Sequence, residues 1–468
     1  MNIIADATPF TVASSRAVQK DDDTNIRWWQ RLLFALFVTE ALLLAAFGWI
    51  DGEITGDTAT YQVPLTWPGA FAEMRHPLYA VFLAWLDPIE SHLRTIAVLQ
   101  MAFQFFACFM LFRETHRYGL SAAASFALAV SALFSQSFLL YGRQALPEVP
   151  AMSAMIISVA ATFRWSSNEQ SAAAPCVVAL FAAIASFLRP IYLAAIPILP
   201  MMTLVFLRLS GGRAVAPRTF GLAVALLVPF LAQSTMRAVT VGDFNVVSFS
   251  GFSMAGMAGL MIEPKHLPLY PEHLRPIATD VLTGRTQAEL AGTVYATPVN
   301  SQGENSFVSA ALCYFDVYAR SIDKVTWGVV GGMRGENESW VEFNKRMQQF
   351  SIATLEIVPD RWVAWIVGGS SRFVGRSLIT NVPFVLFTLA FLAVGAVRIF
   401  GPDSPGNHLS MKDWIAVAVV AAGWAIMTIS VAIIAYFPAT RYIDTASVFI
   451  PAIPLLAFIT LAAWGRLR

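Results

Sequence analysis

The residues best placed to do chemistry lie in a polar stretch after the first apolar run, from Asp51 to Tyr79. There Gly56-Asp57-Thr58-Ala59-Thr60-Tyr61 leads to Arg75-His76-Pro77-Leu78-Tyr79: a carboxylate, then a guanidinium, then an apolar helix too short to cross a bilayer. A carboxylate at a membrane mouth is costly, so it is a candidate for function. Ionised, Asp57 can take a proton from a sugar hydroxyl while Arg75 holds an anionic group. The plainer alternative is that Asp57 caps a short helix starting near Thr58, because Asp is a favoured N-cap.

Three other constellations carry similar residues. In Tyr141-Gly142-Arg143-Gln144-Ala145-Leu146-Pro147-Glu148, the acid opens an apolar run. A Glu in the first turn after Pro is also what the helix dipole favours. Leu188-Arg189-Pro190 sets a guanidinium at the edge of a run, able to bind phosphate or to snorkel to headgroups. Phe437-Pro438-Ala439-Thr440-Arg441-Tyr442-Ile443-Asp444 precedes a run punctuated by Pro451 and Pro454, with headgroup anchoring as its plain alternative.

The elements that must position these groups follow from composition. Over 468 residues, 57% are hydrophobic and 13% charged, which excludes an ordinary soluble domain and indicates an all-α polytopic membrane protein. A net charge of +1, with its Lys and Arg scattered, offers no footprint for nucleic acid. Apolar runs predict about ten spans: 31–50, 93–112, 120–140, 148–164, 174–189, 190–209, 218–237, 379–398, 413–436 and 446–464. Residues 1–30 read as a flexible cytoplasmic arm, since the polar tail lacks the apolar stretch of a signal peptide.

Residues 31–238 then form an N-terminal transmembrane module whose first external loop is 51–92, with short helices in that loop. Residues 239–378 form a mixed, mainly helical extracytoplasmic domain, and 379–468 carry the C-terminal helices. Within the domain, Phe307, Ala310, Ala311, Tyr314 and Phe315 recur at helical spacing, and Trp362 and Trp365 read as interfacial anchors. With the N-terminus cytoplasmic, Arg113, Arg117, Arg164, Arg208, Arg213, Arg218, Arg398, Lys412, Arg466 and Arg468 fall on the inner face. The four polar constellations then share the outer face. Arg189-Pro190 is read as an external turn; a kink would reverse everything downstream.

Glu40 lies mid-span, and Gln100 and Gln104 share a helix face one turn apart; interhelical hydrogen bonds are expected for them rather than a proton path. Cys108 and Cys176 lie in apolar runs and Cys313 in the polar domain, so no disulfide framework is indicated. The six His residues lack metal-ligand spacing, and neither a Walker loop nor a dinucleotide fingerprint occurs. That argues against a nucleotide-sugar enzyme or an ATP-driven pump.

Taken in order, the Asp in the first loop, the Arg before a Pro-led short helix, the Pro-Glu opening a span, the Arg-Pro break and the Arg-Tyr before a Pro-rich last span resemble the GT-C superfamily. These are integral-membrane glycosyltransferases that include protein O-mannosyltransferases and lipid A aminoarabinose transferases. The resemblance runs from Arg31 to about Trp464 and is patchy within 239–378. It implies a polyprenyl-phosphate-linked sugar as donor, a glycan, lipid or protein acceptor on the extracytoplasmic side, and a bacterial inner membrane as the location. It also implies a catalytic acid in the first loop, which maps onto Asp57. Many members have two adjacent acids there; here Glu53 stands four positions earlier, so a divalent metal is not indicated.

The expected roles follow from the reaction. Asp57 is the base, and Glu148 orients hydroxyls. Arg75, Arg189 and Arg441 are candidates for the donor phosphate, because a guanidinium offers a forked donor pair and stays charged. Tyr61, His76, Tyr79, Arg143 and Tyr442 are candidate substrate contacts. A single displacement would invert the anomeric centre. The competing classes are a transporter or lipid-linked glycan flippase, disfavoured by the one-sided polar groups and lack of repeated halves, and an assembly scaffold.

Overall fold

A bilayer offers no water to backbone N–H and C=O groups, so apolar runs of this length fold as helices. The computed structural model describes residues 12–61, 65–67, 69–86, 88–167, 173–212, 214–294, 306–313, 315–399, 410–435 and 440–463. Helix α1 (Val12–Ala46) leads into the first loop, which holds short 3₁₀ turns and α2 (Pro77–Trp85). Next come α3 (Leu93–Arg117), α4 (Ala122–Leu133), α5 (Gln136–Tyr141), α6 (Glu148–Ser166), α7 (Ala174–Leu188), α8 (Ala195–Leu209) and α9 (Val215–Val241). The following segment supplies α10 (Ser250–Met261), α11 (Arg275–Leu290), α12 (Ser306–Cys313), α13 (Phe315–Lys324), α14 (Trp340–Ile357) and α15 (Pro359–Gly375). Finally come α16 (Val382–Ile399), α17 (Met411–Ala435), α18 (Thr440–Ala446) and α19 (Ala452–Ala463). Among the described residues there is no β-strand beyond one isolated bridge, Glu53 with Gln144.

The all-α membrane class stands, but the count of spans differs from the sequence expectation. Six helices among the described residues are long and apolar enough to cross a membrane, or seven if the pair Pro359–Thr380 and Val382–Val394, bent by 55°, is one span. Helix α7 has 15 residues and α19 has 12. At 1.5 Å per residue they reach at most about 22 Å, short of a hydrocarbon core of about 30 Å. Helix α6 is long enough, but Glu148 and Arg164 stand near its ends and almost all of it is buried against α3, α7 and α8.

Helix α1 touches the bundle lightly: from Ile26 to Ala46 only Leu33 and Glu40 are buried. Gln104 makes the interhelical bonds that the sequence predicted, and Gln100 bonds instead to the turn before α6. Gln104 donates to the Ala132 carbonyl at 2.8 Å and accepts from Ser153 at 2.7 Å, and Gln100 donates to the Gln144 carbonyl at 2.9 Å. Glu40 makes no such bond: its carboxyl has no hydrogen-bond partner among the described residues.

Over the bundle, α12 and α13 bury Phe307, Ala310, Ala311 and Phe315, the face the spacing predicted; Tyr314 lies outside the described residues. Trp365 is not an interfacial anchor. It is fully buried, 4.8 Å from the Phe315 ring, and so belongs to the packing of α13 on α15. Helix α10 approaches a π-helical segment, Val325–Val330, at Gly256. A Cβ there would fall 1.7 Å from Thr326 Oγ1, so only glycine permits the approach. That contact fixes where Thr326 and Trp327 point.

Candidate functional site

The first loop is fastened to the turn before α6 by backbone pairing. Glu53 N donates to the Arg143 carbonyl and Ala145 N to the Glu53 carbonyl, each at 2.9 Å; Thr58 Oγ1 donates to the Ala145 carbonyl at 3.2 Å. From the other side, Arg237 on α9 donates to the Phe71 carbonyl and pairs with Asp243 at 2.8 Å. Asp57 and Glu148, 91 residues apart in sequence, are thereby brought to one place. The 3₁₀ turn Thr58–Tyr61 follows Asp57, whose carbonyl accepts from Thr60 N at 3.0 Å. The carboxylate itself reaches Arg441 rather than capping the turn.

Helix α18 delivers Arg441 and Tyr442, and Asp444 holds that helix in place. Buried Asp444 accepts from Arg376 Nε at 2.9 Å and Nη2 at 3.1 Å, from Gln136 at 3.2 Å and from Tyr141 at 3.3 Å. Arg441 then pairs with Asp57 and lies 3.7 Å from Glu148. Arg189, in the extended break between α7 and α8, lies 3.1 Å from Glu148 and donates to the Tyr61 hydroxyl at 3.1 Å. The guanidiniums of Arg189 and Arg441 lie 5.2 and 5.3 Å from the Tyr442 ring centre.

Three guanidiniums thus face two carboxylates, an excess of one positive charge. Burial alone would raise the Asp57 carboxyl, but the charge and hydrogen bond of Arg441, with the charges of Arg75 and Arg189, hold it below its usual range. Burial would likewise raise Tyr442, and Arg189, Arg441 and Arg75 outweigh it and lower its hydroxyl. Arg75 is 8% exposed and lies over the rings of Tyr61 at 5.1 Å and Phe249 at 4.6 Å. It makes no ion pair or hydrogen bond among the described residues. Arg189 and Arg441 both approach Glu148 Oε1, Oε2 has no ion-pair contact among the described residues, and neither oxygen has a hydrogen-bond partner. The site therefore holds a buried guanidinium with no ion pair or hydrogen bond among the described residues and a carboxylate with free hydrogen-bonding capacity.

Asp57, Arg75, Arg441 and Tyr442 line a cavity of about 420 Å³ whose far wall is built by α13 and the π-helical segment. On the bundle side Tyr61 meets Tyr79 edge to face at 5.4 Å, and Tyr79 in turn lines an apolar groove of about 460 Å³ with Phe82, Trp85, Leu99 and Phe103. Arg75, which lines the polar cavity, lies over Tyr61, and Tyr61 packs on Tyr79 of the apolar groove.

Two of the expected substrate contacts do other work. Arg143 pairs with Glu53 at 3.0 Å and lies over Trp49 at 5.2 Å, outside the cavity lining. His76 Nδ1 accepts from Leu78 N at 3.2 Å, capping α2, and its ring stacks on Phe187 at 4.6 Å. Burial and the charge of Arg237 push the His76 imidazole down to about 4, against an opposing hydrogen bond that the imidazole donates to Gln233. A base whose folded value is depressed stabilises the fold fully above its unfolded value of about 6.5 and loses that contribution as pH falls toward the folded value. Melting temperature in detergent accordingly falls between pH 7 and pH 5, and His76→Asn, which keeps a capping side chain, flattens that dependence. An equal slope in both proteins would rule the cap out as its origin.

Asp444, Arg376 and the α13 wall were not anticipated from the sequence. Asp444 had a signal, standing three residues after Arg441 on one helix face. Arg376 had little, because its π-helical segment follows a helix that already carries Arg361 and Arg372, and nothing in the spacing singles it out. Among the described residues no group of three or more His, Cys, Asp or Glu side chains is arranged to hold a metal ion. No family model matches the chain, and neither a curated protein nor a solved structure matches it, so its function is argued from the residues of the site.

Proposed function

We propose that the protein is a GT-C type glycosyltransferase that moves a sugar from a polyprenyl-phosphate carrier to an acceptor hydroxyl at the outer face of a bacterial inner membrane. In this reading α6, α7 and α19 complete a bundle of about ten helices. The observation that carries it is Arg75, a buried guanidinium without an anionic partner beside an ionised Asp in a polar cavity. A buried guanidinium without a hydrogen-bonded anion is costly, and a bound phosphate would supply that partner. The neighbouring apolar groove supports a lipid-linked anion rather than a free one.

On this reading the donor phosphate sits between Arg75 and Arg441, with the isoprenoid tail running past Tyr79 along the groove and Arg189 holding Tyr61. The phosphate competes with Asp57 for Arg441. Once Arg441 turns to the phosphate, Asp57 loses the partner that depresses its basicity and becomes a better proton acceptor. The acceptor O–H gives its proton to Asp57, and its oxygen bonds to the anomeric carbon. The bond from that carbon to the phosphate oxygen breaks, and polyprenyl phosphate leaves with the electron pair, neutralised by the guanidiniums. The proton on Asp57 then passes to solvent. Glu148 accepts from a sugar hydroxyl. Because the pair forms only without donor, the base is weak until the leaving group is in place.

Purified protein incubated with a panel of polyprenyl-phosphate sugars should retain one of them and, with acceptor extract, release polyprenyl phosphate, both read by mass spectrometry. Retention without cleavage of the sugar–phosphate bond would favour a flippase. No retention by folded protein would reject a lipid-phosphate ligand.

A further inference from the structure

The cavity has two unlike walls. On the bundle side, Asp57, Arg441 and Tyr442 are engaged with one another and with Arg189. On the opposite side α13 and the π-helical segment present Arg320, Asp323, Thr326 and Trp327. Arg320 and Asp323 are one helical turn apart, exposed and opposite in charge, yet neither makes an ion pair or hydrogen bond among the described residues. Trp327 is 39% exposed; Phe252 packs at its ring at 5.0 Å and Phe249 at 6.2 Å, which fixes the indole while leaving part of it open. The close approach at Gly256 prevents this segment from shifting.

An exposed indole beside one free acceptor and one free donor matches a pyranose, which has an apolar C–H face and a rim of hydroxyls that both donate and accept. A cavity of about 420 Å³ falls toward the small end of ligand pockets, about 300–1,000 Å³, and suits one or two sugar rings rather than an extended polypeptide. We propose that this wall is the acceptor subsite and that the acceptor is a carbohydrate, its ring stacked on Trp327 and its hydroxyls bonded to Asp323 and Arg320. The proposal rests on the glycosyl-transfer reading and names the acceptor class for that site. It orients the acceptor hydroxyl across the cavity toward Asp57.

Saturation-transfer NMR on the full chain in lipid nanodiscs tests it. The probes are methyl α-D-mannopyranoside, methyl β-D-galactopyranoside, methyl α-L-arabinofuranoside and the peptide N-acetyl-Ala-Thr-Ala-amide, with undecaprenyl phosphate binding measured in parallel. At least one glycoside should receive saturation at its C–H protons. Trp327→Ala should weaken its binding about tenfold, Asp323→Asn should also weaken it, and Trp327→Phe should retain most of it. Undecaprenyl phosphate affinity should be unchanged in all three, which also shows that the variants fold. No glycoside signal, a glycoside signal indifferent to Trp327 and Asp323, or a peptide signal alone would overturn the carbohydrate acceptor and leave the lipid-phosphate reading intact. Failure of undecaprenyl phosphate to bind the wild-type protein would instead remove the reading beneath it.

Discussion

Asp57→Asn is expected to reduce sugar transfer by about 10²–10⁴-fold, the usual worth of a positioned general base, while donor binding stays equal or becomes tighter. The second half of that expectation separates a base from a structural acid. Asp57 occupies Arg441, so on the glycosyl-transfer reading the carboxylate and a donor phosphate compete for one guanidinium. Asn has nearly the same volume and holds Arg441 less strongly, which leaves the guanidinium freer for phosphate. Stability should change little: the paired side chains are 28% and 25% exposed, and a partly solvated pair contributes about 1 kcal/mol or less. Turnover and donor affinity measured together decide the matter. Full turnover would sink the role of Asp57 as base, and donor binding lost in step with turnover would make the residue a binding group instead.

How much of this could be read from the sequence depends on what each residue needs in order to act. The membrane class, the helices over most of the predicted runs and the buried face of α12 and α13 follow from local apolar pattern, which the chain carries on its surface. Asp57, Glu148, Arg189 and Arg441 could be picked out because each is a charge at the edge of an apolar run, where charges are costly. Their convergence could not, because it depends on the Glu53–Gln144 bridge and on Asp444 holding α18, both contacts between distant segments. His76 and Arg143 show how sequence proximity leaves side-chain direction open. They sit beside site residues in sequence, yet one caps α2 and the other pairs with Glu53, since neighbours along a turn point in different directions. The span count was legible only in part: six or seven helices among the described residues are long and apolar enough to cross, while α7 and α19 are apolar but short, a difference in length that apolar composition alone does not reveal.

The largest effect on binding is expected at Arg75. Arg75→Gln should weaken affinity for undecaprenyl phosphate by about 10–100-fold, the worth of one charge-assisted hydrogen bond or two, and yet leave the ligand-free protein as stable as wild type or more so. The two signs follow from one fact. In the ligand-free site Arg75 is buried without an ion pair, beside two other guanidiniums and only two carboxylates. Removing it forfeits contacts over Tyr61 and Phe249, about 1 kcal/mol each, and relieves the desolvation of a buried guanidinium that has no ion pair, so the two effects offset. Arg441→Gln should behave differently, losing phosphate affinity and stability together, because it deprives Asp57 of its partner and Glu148 of a neighbour. Thermal melts with and without undecaprenyl phosphate read all four quantities, since a ligand that binds only the folded state raises its stability by RT ln(1 + L/Kd), L being the free ligand concentration. If Arg75→Gln lowers the melting temperature of the free protein and leaves the phosphate-induced rise intact, Arg75 is a packing residue and the anion site lies elsewhere.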